Sequence, residues 1–224
     1  MKKLILVVVF ISLILGVTSL FKYSLSTKEL EGVSLKKVVV IDAGHGGFDT
    51  GSIGYSKTKE KDITLSIALN LGEKLNEDGF IVYYTRDKDV SLGKNERDDL
   101  NVRIKMINSL KPDIFLSIHL NGSDYKSAKG IETYTRESDD KSYLLGESIQ
   151  DELSSVEYTT DRGVKTTKDR KLAILDRTKH VGILLELGFI TNKSDEEYLV
   201  SKSGQNTVIE CILSGISTYF NKIL

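Results

Sequence analysis

Between residues 37 and 223 the sequence switches repeatedly between two hydrophobic periods, and this alternation restricts the available folds more than any single motif does. Short apolar runs at 37–42 (KVVVID), 80–85 (FIVYYT), 114–119 (IFLSIH), 131–135 (IETYT) and 181–187 (VGILLEL) read as strands. The stretch 62–78 instead places Ile63, Ile67, Leu71 and Leu75 on one helical face, and Gly79 follows as a stop. Stretches 100–110 (closed by Pro112), 142–153 and 207–223 have the same helical character. Strands alternating with helices predict an α/β fold: one domain, with a twisted, mostly parallel sheet and helices on both faces. Ligands of such sheets bind at the carboxyl ends of the strands.

The first residues do not join this pattern. Lys2 and Lys3 precede an uncharged apolar run, so residues 1–24 are expected to be a signal peptide or a membrane anchor, and 25–36 a short linker to the domain at 37–224. The domain is therefore expected to work outside the cytoplasmic membrane, in contact with that membrane if the segment is retained. Lys plus Arg (31) nearly balances Asp plus Glu (32), which gives no reason to expect a nucleic-acid partner. The one cysteine, Cys211, excludes an internal disulfide framework and a cysteine-rich zinc cluster, and its apolar surroundings mark it as packing.

Three histidines remain to be placed. His45 lies in Gly44-His45-Gly46-Gly47, just past the first strand, and His119 ends the strand IFLSIH. Both stand at carboxyl strand ends, whereas His180 precedes its strand and belongs to the opposite end. Two histidines suit a catalytic metal that also takes a carboxylate and leaves a position open. Glu60 could reach back over the first strand from the start of the next helix, although the charged run 57–62 around it also reads as a solvated helix start. Glu186 is a carboxylate inside the apolar run Ile183–Phe189, where an unpaired charge is costly. A metal, a partner charge, a loop to cap or a role in proton transfer would each account for it, and burial would raise its pKa. The glycine turn lacks the Lys-Ser/Thr ending of a P-loop and the G-x-G-x-x-G register, and no G-x-S-x-G elbow is present. Metal-assisted hydrolysis is the chemistry left.

The segments VVVIDAGHGGFDTGSIG, KEKDITLSIALNLGEKL, VYYTRDKD, IFLSIHLNGS, GIETY, DRGVK and LLELGFITN, in this order, resemble the zinc-dependent N-acetylmuramoyl-L-alanine amidases of the amidase-3 type over residues 37–224. The resemblance implies a zinc amidase domain that cuts the amide between N-acetylmuramic acid and L-alanine in peptidoglycan. It also implies one zinc ion (Zn2+) on His45, Glu60 and His119, and Glu186 as the catalytic glutamate. Asn121, in the turn after His119, is expected to contact substrate. Some relatives require a protein activator. Two departures stand out: Ala43 replaces the usual proline, and 120–129 leaves no room for the self-blocking helix that some relatives carry. An anchor with a bare catalytic domain resembles the sporulation amidases that prepare spore cortex for muramic δ-lactam formation. The alternatives are an exported zinc peptidase and an inactive peptidoglycan-binding module.

Overall fold

The computed structural model describes residues 36–223, and the expected signal or anchor at 1–24 and nearly all of the linker lie outside them. Among the described residues, no helix is long and apolar enough to cross a membrane.

Six strands form one sheet: β1 (Val38–Ala43), β2 (Ile81–Tyr84), β3 (Ile114–Asn121), β4 (Ile131–Thr135), β5 (Asp161–Thr166) and β6 (Gly182–Phe189). Their spatial order is β2-β1-β3-β6-β4-β5. β2, β1, β3 and β6 are mutually parallel, while β4 runs antiparallel to β6 and carries β5 parallel to itself. The helices are α1 (Glu60–Glu77), α2 (Glu96–Leu110), α3 (Asp140–Ser155), α4 (Ala173–Asp176), α5 (Lys193–Val200) and α6 (Lys202–Ile223). The expected α/β sheet is the one observed.

Strand alternation divides the sheet into two unequal faces. Val39, Ile41, Ile114, Leu116, Ile118, Ile183 and Leu185 point into the larger core, which α1, α3 and α6 complete through Ile67, Leu71, Ile149, Ile212 and Tyr219. Val40, Phe115 and Leu184 point the other way, into a smaller core closed by Ile104 and Ile107 of α2 and Ile174 and Leu175 of the single-turn α4. The residues that follow in the same register on this smaller face are Asp42, Ser117, His119 and Glu186, all polar. The thin helical layer thus ends short of the carboxyl ends of the strands, and polar side chains take over there.

Several boundaries differ from the sequence expectation for local reasons. The first helix begins at Glu60, so Glu60 is helical rather than ahead of the helix. α2 begins at Glu96 because Asn95 caps it, accepting from the Asp98 amide. α5 was not legible as a helix; Asn192 caps it by accepting from Ser194 and Asp195 amides. β5 carries no apolar alternation, and its pairing with β4 alone makes it a strand.

α3 and α6 touch through Gly215, where an added Cβ would sit 2.6 Å from the Ile149 Cα. The clash is with backbone, so the two helices would have to part. Gly215→Ala should cost about 1–3 kcal/mol, read as a lower urea midpoint at unchanged slope.

Candidate functional site

The chain leaves β1 through Gly44 and places His45 at φ 63, in the left-handed region. Histidine is among the few non-glycine residues that enter it with any frequency. Two glycines make the room. A Cβ on Gly44 would lie 2.4 Å from the His119 ring, and one on Gly51 would lie 2.6 Å from Glu60 Oε2 and 2.7 Å from His45 Cδ2.

Into that space converge one atom from each of His45, Glu60 and His119, all within 4.8 Å of one another. Glu60 Oε1 lies 3.0 Å from His45 Nε2 and 3.2 Å from His119 Nδ1. The Leu120 amide donates to that same oxygen and the Ser52 amide to Oε2, each at 2.9 Å. Glu60 is nearly sealed from solvent, while about a fifth of each histidine side chain is exposed. The other His45 nitrogen, Nδ1, is 2.7 Å from Asp49 Oδ2. A carboxylate on the far side of a histidine ring fixes its tautomer and orientation.

Burial opposes charge on His45, but Glu60 and then Asp49 overcome it and draw its pKa up to about 9. Burial likewise works against the Glu60 carboxylate, and the two histidines hold its pKa well below the usual range. The trio therefore carries a strong preference for a positive charge between its members. Two imidazoles and a carboxylate on one small space, with glycines keeping side chains out, form a donor set that fits a zinc-type ion.

Two buried arginines hold this loop from behind. Arg103 donates to the carbonyls of Ala43 (2.7 Å) and His45 (2.6 Å), and to Asp42 Oδ1 at 2.8 Å and Asp99 Oδ1 at 2.5 Å. Arg86 donates to the carbonyls of Ala43 (2.9 Å), Gly44 (2.8 Å) and Lys61 (2.9 Å). Asp42 also accepts from Thr85 and Ser117 hydroxyls. Its burial pushes the carboxyl pKa up, but Arg103 and the two hydroxyls outweigh burial and hold it below the ordinary value.

Glu186 lies across the β3–β6 ladder from His119 and across the β6–β4 ladder from Glu132. The two neighbouring carboxylates are treated differently. Glu132 is held by Arg162, Lys165, Asn121 and Tyr134, and these donors, working against its burial, depress its pKa to about 2. Among the described residues, Glu186 receives one hydrogen bond, from Arg170 at 3.1 Å, and its Oε2 is buried with no partner. Burial pushes the Glu186 pKa up to about 7. A cleft of about 600 Å³ joins Glu186, Asn121 and Arg170 to the histidine pair.

The structure thus brings together His45, Glu60 and His119, places Glu186 beside them, and puts Asn121 on the cleft wall with its amide nitrogen given to Glu132. His180 stands apart, in the bend ahead of β6. Asp49, Arg86, Arg103, Glu132 and Arg170 were not singled out from the sequence. Asp49 left a signal, four residues after His45, and Arg103 another, on the helical face it shares with Leu100, Ile104 and Ile107; Arg86 and Arg170 lie in polar stretches and gain their meaning from contacts elsewhere in the chain.

Known proteins resemble this chain over most of its length. A family model described as N-acetylmuramoyl-L-alanine amidase matches residues 39–218. The chain is 30% identical over 219 residues to a germination-specific N-acetylmuramoyl-L-alanine amidase of Bacillus subtilis, covering 91% of this chain and 90% of that protein. The solved CwlD amidase of Clostridioides difficile, in complex with the GerS lipoprotein, superposes with a TM-score of 0.78 at 32% identity, over 83% of this chain and 99% of that one. The catalytic domain of CwlV, an N-acetylmuramoyl-L-alanine amidase of Bacillus (Paenibacillus) polymyxa, gives a TM-score of 0.74 at 33% identity, over 83% of this chain and 98% of that one.

Replacing Arg103 by Leu would leave Asp42 buried without its counter-charge, at a cost of about 3–5 kcal/mol. A carboxyl with a lowered folded pKa contributes stability above its ordinary value of 3.8 and loses it as pH falls through the folded one. In the variant the Thr85 and Ser117 hydroxyls face burial without Arg103, and the Asp42 pKa rises. Urea titrations should therefore show the difference from wild type largest at neutral pH and shrinking as pH falls through the variant's raised pKa towards the lowered wild-type one.

Proposed function

The chain belongs to the N-acetylmuramoyl-L-alanine amidase family and is an amidase of peptidoglycan, and from that premise we propose that it works with one zinc ion on His45, Glu60 and His119 and with Glu186 as the proton carrier. The observation that supports this most is Glu186 Oε2, a buried carboxylate oxygen without a partner, on the strand next to His119.

Zinc supplies Lewis acidity at such a site, polarising a carbonyl and acidifying water. The chain's own residues supply the rest. His45 is held by Asp49 with its Nε2 toward Glu60, and Glu60 by two backbone amides, so these donors need little rearrangement. Glu186 takes a proton from the attacking water on Oε2 and returns it to the nitrogen of the departing L-alanine. A pKa of about 7 lets it do both near neutral pH. Arg170 holds the other oxygen, which leaves Oε2 free for the proton. Asn121 offers its amide to substrate from the cleft wall.

The narrower role we propose is in cell-wall remodelling during sporulation, at the spore cortex, where removal of the peptide precedes muramic δ-lactam formation. The likeness to a germination-specific amidase supports it. The complex of CwlD with a lipoprotein supports a protein activator for this chain as well. Export by residues 1–24, with the domain either released or anchored to the membrane, follows from a substrate outside the cytoplasm.

Zinc analysis should find one ion per wild-type chain, little in His119→Ala, and wild-type content in His180→Ala; undiminished zinc in His119→Ala would reject the ligand set. Glu186→Gln should fold, keep zinc and lose activity on purified sacculi by about a hundred- to ten-thousandfold. Near-normal turnover would remove Glu186 from the chemistry, and loss of zinc would make it a ligand. The released ends separate the alternatives: new peptide amino termini of L-alanine mark the amidase, and cuts inside the stem would mark a peptidase. A reporter fused to residues 1–30 should leave the cytoplasm, and one retained there in soluble form would refute export.

A further inference from the structure

The stretch 161–171 (DRGVKTTKDRK) carries five cations and two carboxylates in a chain whose net charge is −1. Most of those charges are spent locally. Asp161 accepts from Gln150 and from the Gly163 amide, and Asp169 accepts from the Thr166 amide. Arg162 and Lys165 both pair with Glu132. Arg170 is different. Its side chain is 52% exposed, and among the described residues Glu186 is the only carboxylate it pairs with, through one N–H group at 3.1 Å. Its guanidinium carbon lies 5.8 Å from the centre of the Tyr134 ring, which steadies the plane from one side. Arg170 and Lys171 are the cations that line the cleft holding Glu186 and the histidine pair.

A guanidinium has five N–H donors in a fixed fork, suited to two-point recognition of a carboxylate. Fixing one of them on Glu186 leaves the others for a group that arrives with the substrate. Because that anchor is the proton carrier itself, the arriving group must sit close to the scissile bond.

Resting on the amidase reading above, we propose that Arg170 is a specificity-determining residue that reads the free α-carboxylate of the D-glutamate following L-alanine in the peptide stem. That residue is joined onward through its γ-carboxyl, so its α-carboxylate is the anion nearest the amide being cut. Amidation to D-isoglutamine keeps the shape, removes the charge, and replaces an acceptor oxygen by an NH2 that faces a cation. Stems with the free acid are therefore the better substrates.

The test uses the full-length, zinc-loaded chain and three synthetic substrates of equal length. They are N-acetylmuramoyl-L-Ala-γ-D-Glu-L-Lys, the same molecule with D-isoglutamine, and the D-Glu form with its C-terminal lysine amidated. For wild type, kcat/KM should favour D-Glu over D-isoglutamine by about ten- to hundredfold, mainly through KM. C-terminal amidation should change it by less than about twofold, which separates the α-carboxylate from the terminal one. In Arg170→Gln the preference should collapse to within about twofold, and Arg170→Lys should keep part of it, since a point charge loses the fork. Equal rates on the two stems by wild type would overturn the proposal. So would a preference that survives in Arg170→Gln, equal losses on both stems in that variant, or sensitivity to the C-terminal amide instead. Absence of cleavage of all three by wild type, both alone and with a membrane extract of the source cells added to supply the proposed activator, would overturn the amidase reading and this one with it, whereas cleavage without discrimination would overturn this one alone.

Discussion

A histidine at positive φ, followed by glycines and with three successive carbonyls turned inward, survives in a protein interior only where donors surround it, and Arg86 and Arg103 provide them. Between them they hold the carbonyls of Ala43, Gly44, His45 and Lys61, the backbone on either side of two members of the histidine–glutamate trio. Arg103 is tied in turn to Asp42 and Asp99, while Arg86 has no carboxylate partner among the described residues and spends its charge on carbonyl dipoles. A planar fork reaches several carbonyls at once from a fixed position, which an ammonium on a flexible stem does not. Such buried ion pairs are poor evidence of net stability. Here their effect is to give a glycine-rich turn one conformation, which a set of three converging side chains requires.

The same logic runs along the sheet. His119, Glu186 and Glu132 stand side by side on β3, β6 and β4, all on the face with the thinner helical cover. Adjacent carboxylates on neighbouring strands repel each other. The chain resolves the conflict unevenly: Glu132 collects four donors and stays ionised, and Glu186 keeps one and has its proton affinity raised by burial. Two carboxylates of one chemistry thereby come to hold their protons at pH values far apart, the usual mark of groups with different tasks. Glu132 holds Arg162, Lys165 and Asn121, and Glu186 is left with one donor, Arg170, and an oxygen that has no partner among the described residues.

How much of this a sequence reveals depends on the range of the interaction. Strand β6 and helix α1 were legible because apolar period reports burial directly, and Glu186 was conspicuous because it interrupts such a run. Glu60 was ambiguous for the opposite reason. Its neighbours 57–62 are charged, and it is buried only because the Leu120 and Ser52 amides, distant in sequence or across a loop, close over it. Gly44 and Gly51 read as turn residues, yet their tight contacts are with the rings and carboxylate of other segments. Arg103 shares a helical face with Leu100, Ile104 and Ile107, whereas Arg86 sits in a charged stretch that looks solvent-facing. No local pattern distinguishes a surface arginine from one that spends its donors on carbonyls more than forty residues away.

The unequal faces of the sheet explain why the site lies where it does. On the larger face, α1, α3 and α6 cover the strands with apolar side chains, and the buried polar pair Thr133–Gln150 between β4 and α3 is satisfied internally. On the smaller face the apolar cover is Ile104 and Ile107 of α2 with the single turn of α4, which packs on Val40, Phe115 and Leu184 and gives way to polar contacts at the next residues of the same register. Strand period then turns Asp42, Ser117, His119 and Glu186 to this face, where Arg103 of α2 covers Asp42 and the cleft opens beside His119 and Glu186. An apolar choice there would expose a hydrophobic patch, and a polar choice needs partners, which the arginines, the glycine loop and the first residue of α1 provide. Glu60 completes the set because α1 belongs to the other layer and starts beyond the rim of the sheet, so its first residue reaches over the edge to the two histidines. The cleft is therefore a consequence of one short helix, and a longer helix in place of α4 would cover His119 and Glu186.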